Sequence, residues 1–348
     1  MRALTVAPGV ANSARIEDVP EPPADDGAVL VRTIAVGVCG TDRDIVCGHY
    51  GWAPPGQSRL VIGHESLGVV REAPPDSGVN IGDLVVGIVR RPDPVPCPSC
   101  AVGEWDMCRN GRYTERGIKE RHGFGSEYFR IESEFLVKID PALGEAGVLL
   151  EPTSVVAKAW DHTERIGQRA RSWNPKTLLV TGAGPVGLLA ALMGAQRGLE
   201  VHVLDHHEHR AKREMVSRLG GVYHVGTLAN LGFKPDVLIE CSGAPSVVRD
   251  VLGYTAASGI ACLVGVTEPG HDFEVDVGAL NRSMVLDNNT LFGTVNANKL
   301  HYEMAGEALR KADRRWLDMM ITRREPAEHW TRSLQRQPDD IKVIVEFS

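Results

Sequence analysis

Residues 177–187, TLLVTGAGPVG, limit what this chain can fold into more than any other stretch. A short apolar run enters Gly182-Ala183-Gly184-Pro185-Val186-Gly187, and a helical pattern, LLAALM over 188–193, follows at once. A G-x-G-x-x-G triplet alone is weak evidence, but between a buried strand and a helix it points to dinucleotide binding. Gly182 permits the tight turn, Gly184 lets the main chain approach a pyrophosphate, and Gly187 lets helix and strand pack closely. Pro185 and Val186 open the helix, whose unpaired N–H groups attract the phosphates. A second strand over 200–204 ends in Asp205, at about the twenty-residue distance expected of a ribose-binding acid. Asp205 can bond both ribose hydroxyls of NAD and repel a 2′-phosphate. His206, His207, His209 and Arg210 follow it and suit a phosphate. NAD is therefore the expected cofactor, with NADP or dual use as the alternative.

At 348 residues the chain is long enough for about two domains. A hydrophobic content of 43% and a net charge of −7 describe a globular protein without a basic block, which argues against nucleic acid and anionic membrane surfaces as partners. The N-terminus, MRALTV, reads directly into a strand rather than a signal peptide, and no apolar run reaches the roughly 20 residues needed to span a bilayer. A cytoplasmic location is expected. Seven cysteines, an odd number, then favour metal ligation or packing over a disulfide framework.

The first part of the chain is punctuated by glycine and proline. Strands are expected over 29–36, 60–62, 66–70 and 83–89, with breakers such as Pro54-Pro55-Gly56 and Pro74-Pro75 between them. That texture predicts a compact, barrel-like β domain. From residue 154 a helical pattern begins, and from 177 strands alternate with helices through 237–241, 259–264 and 283–286, the pattern of a doubly wound parallel sheet. An amphipathic helix carrying Tyr302, Ala305 and Leu309 precedes a final strand over 341–347. A lone terminal strand must pair somewhere, and a return to the β domain is expected.

Three motifs offer metal-ligand chemistry. Cys39-Gly40-Thr41-Asp42 and Gly63-His64-Glu65 each follow a strand, and Glu151-Pro152 stands at the change of texture. Thiolate, imidazole and carboxylate are the donors of a catalytic zinc, which takes three protein ligands and keeps one position open. Singly, each motif reads as packing, a turn or a helix start. Together, and in this order with the glycine fingerprint, they resemble the zinc-dependent medium-chain dehydrogenases over essentially the whole chain. The stretches CGTDRDIV (39–46), HESLG (64–68), DMCRNG (106–111) and LEPTSVV (150–156) are similar to the glucose dehydrogenase branch.

The resemblance implies an α/β protein with a GroES-like β-rich catalytic domain over 1–153, completed by about 297–348, and a Rossmann doubly wound parallel-sheet domain over 154–296. It implies Cys39, His64 and Glu151 as zinc ligands and Glu65 as an exchangeable or neighbouring ligand. Asp42 would accept the free N–H of His64, and Thr41 would hold the reacting hydroxyl. Asp44 stands where related alcohol dehydrogenases often place a relay histidine, so the proton needs another exit, through Glu65 or water. Cys97, Cys100 and Cys108 match three members of a four-cysteine structural zinc lobe. Pro94 replaces the first cysteine, and adjacent Asp93 is the candidate fourth ligand.

The same branch implies oxidation of an aldose, glucose at C1 to gluconolactone, with hydride transfer to NAD(P). Glu115 and Asn296 match its sugar-contacting residues, with Thr41 and Glu151 also facing the substrate, and Thr294, Val295 and Asn296 adjoin the cofactor. A polyol or secondary-alcohol dehydrogenase is the alternative within the family, and a non-catalytic NAD(P)-binding regulator the alternative outside catalysis. A homodimer or homotetramer formed at the edge of the parallel sheet, near Ile260 and Met284, is expected.

Overall fold

Short apolar runs broken by proline can bury their faces only by pairing with strands distant in sequence. The computed structural model, which describes residues 1–347, shows how they do so. The chain forms two units, Met1–Ser154 with Asn296–Ser348, and Val155–Val295; Ser348 itself lies outside the described residues.

The first unit is built on the ten-residue strand Val29–Val38, whose burial alternates along most of its length. It pairs antiparallel with Glu65–Glu72, Tyr128–Ile131 and Lys342–Glu346 in a seven-stranded sheet. The terminal strand thus returns to this unit, with Val343 opposite Val38. A smaller sheet sets Arg90–Arg91 against Thr114–Arg116, placing Arg90 directly across from Glu115. The amphipathic helix Lys299–Lys311 buries Tyr302, Ala305 and Leu309.

The second unit is a six-stranded, all-parallel sheet. Taking its strands in space, Val222–Val225, Glu200–Asp205, Thr177–Thr181, Val237–Glu240, Ile260–Leu263 and Thr290–Gly293 lie side by side. Numbered along the chain within the unit this is the order 3-2-1-4-5-6, the doubly wound arrangement whose first strand carries the dinucleotide turn. Its core packs Leu179, Leu204, Leu228, Leu238, Val251 and Ala261.

One expected strand is a helix. Residues 283–286 lie inside the helix Val277–Asp287, capped by the Asp276 carboxylate at its start and by left-handed Asn288, φ 54°, at its end. The sheet's last strand comes after that cap, at Thr290–Gly293, so the edge is formed there and not at Met284 or Ile260. A four-residue apolar run fits either period, and only the flanking caps decide it. The helix preceding the fingerprint, Leu150–Gly167, starts four residues before the expected 154 and so includes Glu151 in its first turn.

Candidate metal, substrate and cofactor sites

The strand Val29–Val38 delivers Cys39 as the N-cap of the short helix Gly40–Val46. The Cys39 Sγ accepts the Thr41 N–H at 3.3 Å, and the Asp42 Oδ2 accepts the Cys39 N–H at 2.9 Å, a reciprocal cap that fixes both side chains. Asp42 then has Oδ1 left over, 3.3 Å from His64 Nδ1. Neither atom has a well-aligned hydrogen bond, but the spacing orients the ring with its other nitrogen away from Asp42.

His64 follows Gly63, whose φ of 90° makes the turn; a Cβ there would meet Val36 Cγ1 at 2.7 Å. Donor atoms of Cys39, His64 and Glu65 lie within 4.8 Å of one another. Burial alone would lower the His64 pKa, but the facing Asp42 and Cys39 hold it well above the ordinary imidazole range. Glu65 is clamped by Lys342, whose Nζ lies 2.7 and 2.6 Å from its two oxygens. Glu151 stands outside that tight trio but shares its electrostatics. Burial pushes its carboxyl up to about 7, and Glu65 and Asp42 add to the rise against the opposing His64 and Lys342.

These residues fit a divalent cation. Cys39, Asp42, Glu65 and Glu151 are four potential anions around His64, and Lys342 is the ammonium among them. A buried excess of negative charge is costly unless a cation offsets it. Thiolate, imidazole and carboxylate are also the donor types that zinc takes in catalytic sites.

Glu115 is buried, at 6% exposure, and accepts the Asn296 Nδ2 at 2.8 Å. Asn296 is itself left-handed, φ 61°, and its Oδ1 accepts the Ala297 N–H at 2.8 Å. The two residues matched to sugar contacts, 181 positions apart, therefore touch each other. Arg90 pairs with Glu115 as well, at 3.0 Å.

The sulfurs of Cys97, Cys100 and Cys108 gather within 4.8 Å. N–H groups of Arg109 and Cys100, 3.4 and 3.5 Å from the Cys97 sulfur, pull that thiol down to about 6. Asp93 is not among the gathered donors: its Oδ1 accepts the Val95 N–H at 2.8 Å and its Oδ2 faces Arg112 at 3.4 Å.

In the second unit, the fingerprint glycines divide their tasks by position. Gly182 turns with φ 87°, a Cβ on Gly184 would meet nothing within 4 Å, and a Cβ on Gly187 would sit 1.8 Å from the Gly182 carbonyl oxygen. Gly184 thus leaves open space where a phosphate would lie, while Gly187 closes the turn on itself. Pro185 begins the helix Pro185–Gln196, so the amides of Val186 and Gly187 are the first-turn donors. Asp205 ends its strand with both oxygens engaged. Its Oδ1 accepts the His206 N–H at 2.8 Å, and its Oδ2 receives Lys212 Nζ at 2.9 Å and the Tyr223 hydroxyl at 3.3 Å. His206, His207 and Arg210 are exposed beside it. Thr294 donates its N–H to Leu263 at 3.0 Å, and the Val295 carbonyl accepts Lys158 Nζ at 3.0 Å.

Lys342, Arg90 and Lys212 were not singled out by the sequence. A lysine inside the apolar run IKVIV was the available signal for the first; the other two sit in basic clusters that read as solvated surface.

Comparison with known proteins covers both units. Residues 25–141 match the alcohol dehydrogenase GroES-like domain, and residues 144–347 match the glucose dehydrogenase C-terminus. The glucose 1-dehydrogenase of Methanocella arvoryzae is 37% identical over 358 aligned positions, covering 100% of this chain and 99% of that protein. The glucose 1-dehydrogenase of Thermoproteus tenax is 37% identical and 99% of each chain is covered. Among solved structures, Haloferax mediterranei glucose dehydrogenase in complex with NADP, Zn and gluconolactone superposes with a TM-score of 0.92 at 31% identity, covering 100% of this chain and 99% of that one.

Proposed function

The chain belongs to the zinc-dependent medium-chain dehydrogenases, in their glucose dehydrogenase branch, and from that premise we propose that it oxidises glucose at C1 to gluconolactone with hydride transfer to NAD(P). The observation that carries the reading is the convergence of Cys39 with the buried His64 and Glu65, with Glu151 in electrostatic reach. Bound there, zinc supplies Lewis-acid stabilisation of negative charge on the substrate oxygen, worth several kcal/mol.

The protein's own residues do the rest. Asp42 holds the His64 ring, and Lys342 holds Glu65 in place. Thr41, at the first turn after Cys39, receives the hydroxyl proton as it passes its own to Glu65 or water, because Asp44 cannot act as a relay imidazole. Glu115 and Asn296 bind sugar hydroxyls, while Gly182, Gly184 and the amides of Val186 and Gly187 bind the cofactor pyrophosphate. The adenosine ribose meets Asp205 with His206, His207 and Arg210 beside it, so we read NAD as preferred and NADP as accepted. Cys97, Cys100 and Cys108 form a second, structural zinc site.

Among the described residues no helix is long and apolar enough to cross a membrane. A cytoplasmic homodimer or homotetramer fits the open edge strand Thr290–Gly293 and the helix Val277–Asp287, which buries no residue and exposes Val277, Val285 and Leu286. Light scattering tests this, and a mass that stays monomeric at all concentrations removes it.

The deciding experiment assays zinc-loaded protein against aldoses, alditols and simple alcohols with each cofactor. Glucose turnover with zinc dependence supports the reading. Preference for alditols would assign a polyol dehydrogenase, and binding of cofactor without turnover of any substrate would leave a regulator.

A further inference from the structure

Arg90 is a buried cation, 4% exposed, that the reaction outlined above does not use. Its strand partner Glu115 lies directly opposite, yet the pair does not meet as the usual two-pronged fork on two oxygens. Arg90 Nε and Nη2 both reach the same oxygen, Glu115 Oε1, at 3.1 and 3.0 Å. Asn296 Nδ2 adds a third bond to that oxygen at 2.8 Å. Among the described residues Oε2 accepts no hydrogen bond, so one oxygen is saturated and the other is available.

The guanidinium is itself fixed on two further sides. Its Nη1 donates to the Asp106 carbonyl at 3.1 Å, and its plane lies 3.8 Å from the centroid of the Tyr113 ring. Asp106 is tied in turn by Asn298 Nδ2 at 2.9 Å. A lysine could not make these contacts at once, because an ammonium is a point charge on a flexible stem and a guanidinium is a rigid plane with donors in several directions.

We propose that Arg90 is a specificity-determining positioning residue for the sugar, saturating Glu115 Oε1 so that Oε2 alone accepts from one substrate hydroxyl. This rests on the aldose reading above, in which Glu115 contacts the sugar. A single, oriented acceptor rejects an analogue that lacks its hydroxyl, because the carboxylate oxygen, once covered by the bound sugar, is then left unpaired. A carboxylate free to rotate would accept from either of two hydroxyls and discriminate less.

The experiment measures steady-state kinetics of the zinc-loaded protein on glucose and its 2-, 3-, 4- and 6-deoxy analogues, for the wild type, Arg90→Met, Arg90→Lys, Glu115→Gln and Arg90→Met/Glu115→Gln. In the wild type one deoxy analogue is expected to lose at least about tenfold in kcat/KM relative to glucose. Arg90→Met raises the glucose KM about tenfold, changes kcat less than about threefold, and shrinks the deoxy penalty below about threefold, while Arg90→Lys falls between. In the Glu115→Gln background, Arg90→Met adds less than about twofold, because the two residues act as one unit. Retention of the full deoxy penalty in Arg90→Met, or an undiminished cost in the Glu115→Gln background, overturns the proposal. If Arg90→Met alone does not fold, Arg90→Lys and the double variant, which leaves no unpaired carboxylate, make the same comparison. A wild type that turns over no aldose removes the aldose reading and the Arg90 assignment with it. Glucose turnover by a wild type that shows no deoxy penalty removes the Arg90 assignment alone.

Discussion

Lys342 sets its ammonium 2.7 and 2.6 Å from the two oxygens of Glu65, and each residue is only 2% exposed. The pair joins the terminal strand to the turn that carries His64, across 277 positions of sequence. Removing one partner of a buried ion pair leaves an uncompensated charge and costs about 3–5 kcal/mol. Lys342→Met should lose that much in denaturant unfolding, and Lys342→Met/Glu65→Gln should recover most of it. Burial alone would lower the Lys342 pKa, but Glu65 and Cys39 raise it above 10.5. A raised folded value means the stabilisation is complete at neutral pH and is lost only as pH climbs through it. A Lys342→Met loss below about 1 kcal/mol would show that the pair does not hold the strand.

Cofactor choice turns on a different pair. Asp205 is the acid that should discriminate against a 2′-phosphate, but Lys212, 7% exposed, already bonds one of its oxygens. Lys212→Met leaves the carboxylate charge unopposed and should lower the NADP/NAD ratio of kcat/KM by about tenfold. Asp205→Ser should raise that ratio by a similar factor of about ten. If both variants change the two cofactors equally, the pair is scaffold and the preference is set by His206, His207 or Arg210.

How much of this was legible depended on whether the deciding contact was local. The fingerprint at 182–187 is a local device, since turn, helix start and strand end all lie within eleven residues, and the structure has that strand, turn and helix in sequence. The return of the last strand was also legible, because an apolar run at a chain end has to pair. Residues 283–286 misled because Met284, Val285 and Leu286 look like buried strand but lie on a helix with no buried residue. Their apolar character serves an exposed surface, and a single sequence does not show which surface is covered. Arg90, Lys212 and Lys342 were illegible for a third reason. Whether a basic residue is solvated or clamped is decided by carboxylates brought near it in the fold, 25 positions away for Arg90 and 277 for Lys342.

Acid stability should report on Glu132. Burial alone would raise its pKa, but Arg91 and Arg121 more than offset that and hold it below 4.5. A depressed folded value gives stability that is present above 4.5 and disappears as pH falls through the folded value. In metal-free protein, wild type should be more stable than Glu132→Gln at neutral pH, and the two should converge between about pH 5 and about pH 3. Parallel curves through that window would mean the arginines stabilise the fold without depending on this carboxylate. Chelation matters to the design, since a bound metal held by deprotonated ligands would otherwise add a pH dependence of its own.

The three-thiol lobe allows a count. Cys97, Cys100 and Cys108 are close enough to share one ion, and the Cys97 thiol is poised to ionise by the amides of Arg109 and Cys100. Native mass spectrometry should find two zinc ions per wild-type chain and one in Cys100→Ser. Asp93 would have to release Val95 and Arg112 to become the fourth ligand, so Asp93→Asn should weaken the second ion by at least about tenfold only if that exchange occurs. Because Asp106 lies within the lobe and its carbonyl holds Arg90, emptying the second site should raise the glucose KM while leaving zinc at Cys39 and His64 in place. Thiols that all react with a disulfide reagent in wild type holding a single zinc would show instead that the lobe folds on hydrogen bonds alone, with Asn298 and Arg90 fixing Asp106 from the substrate side.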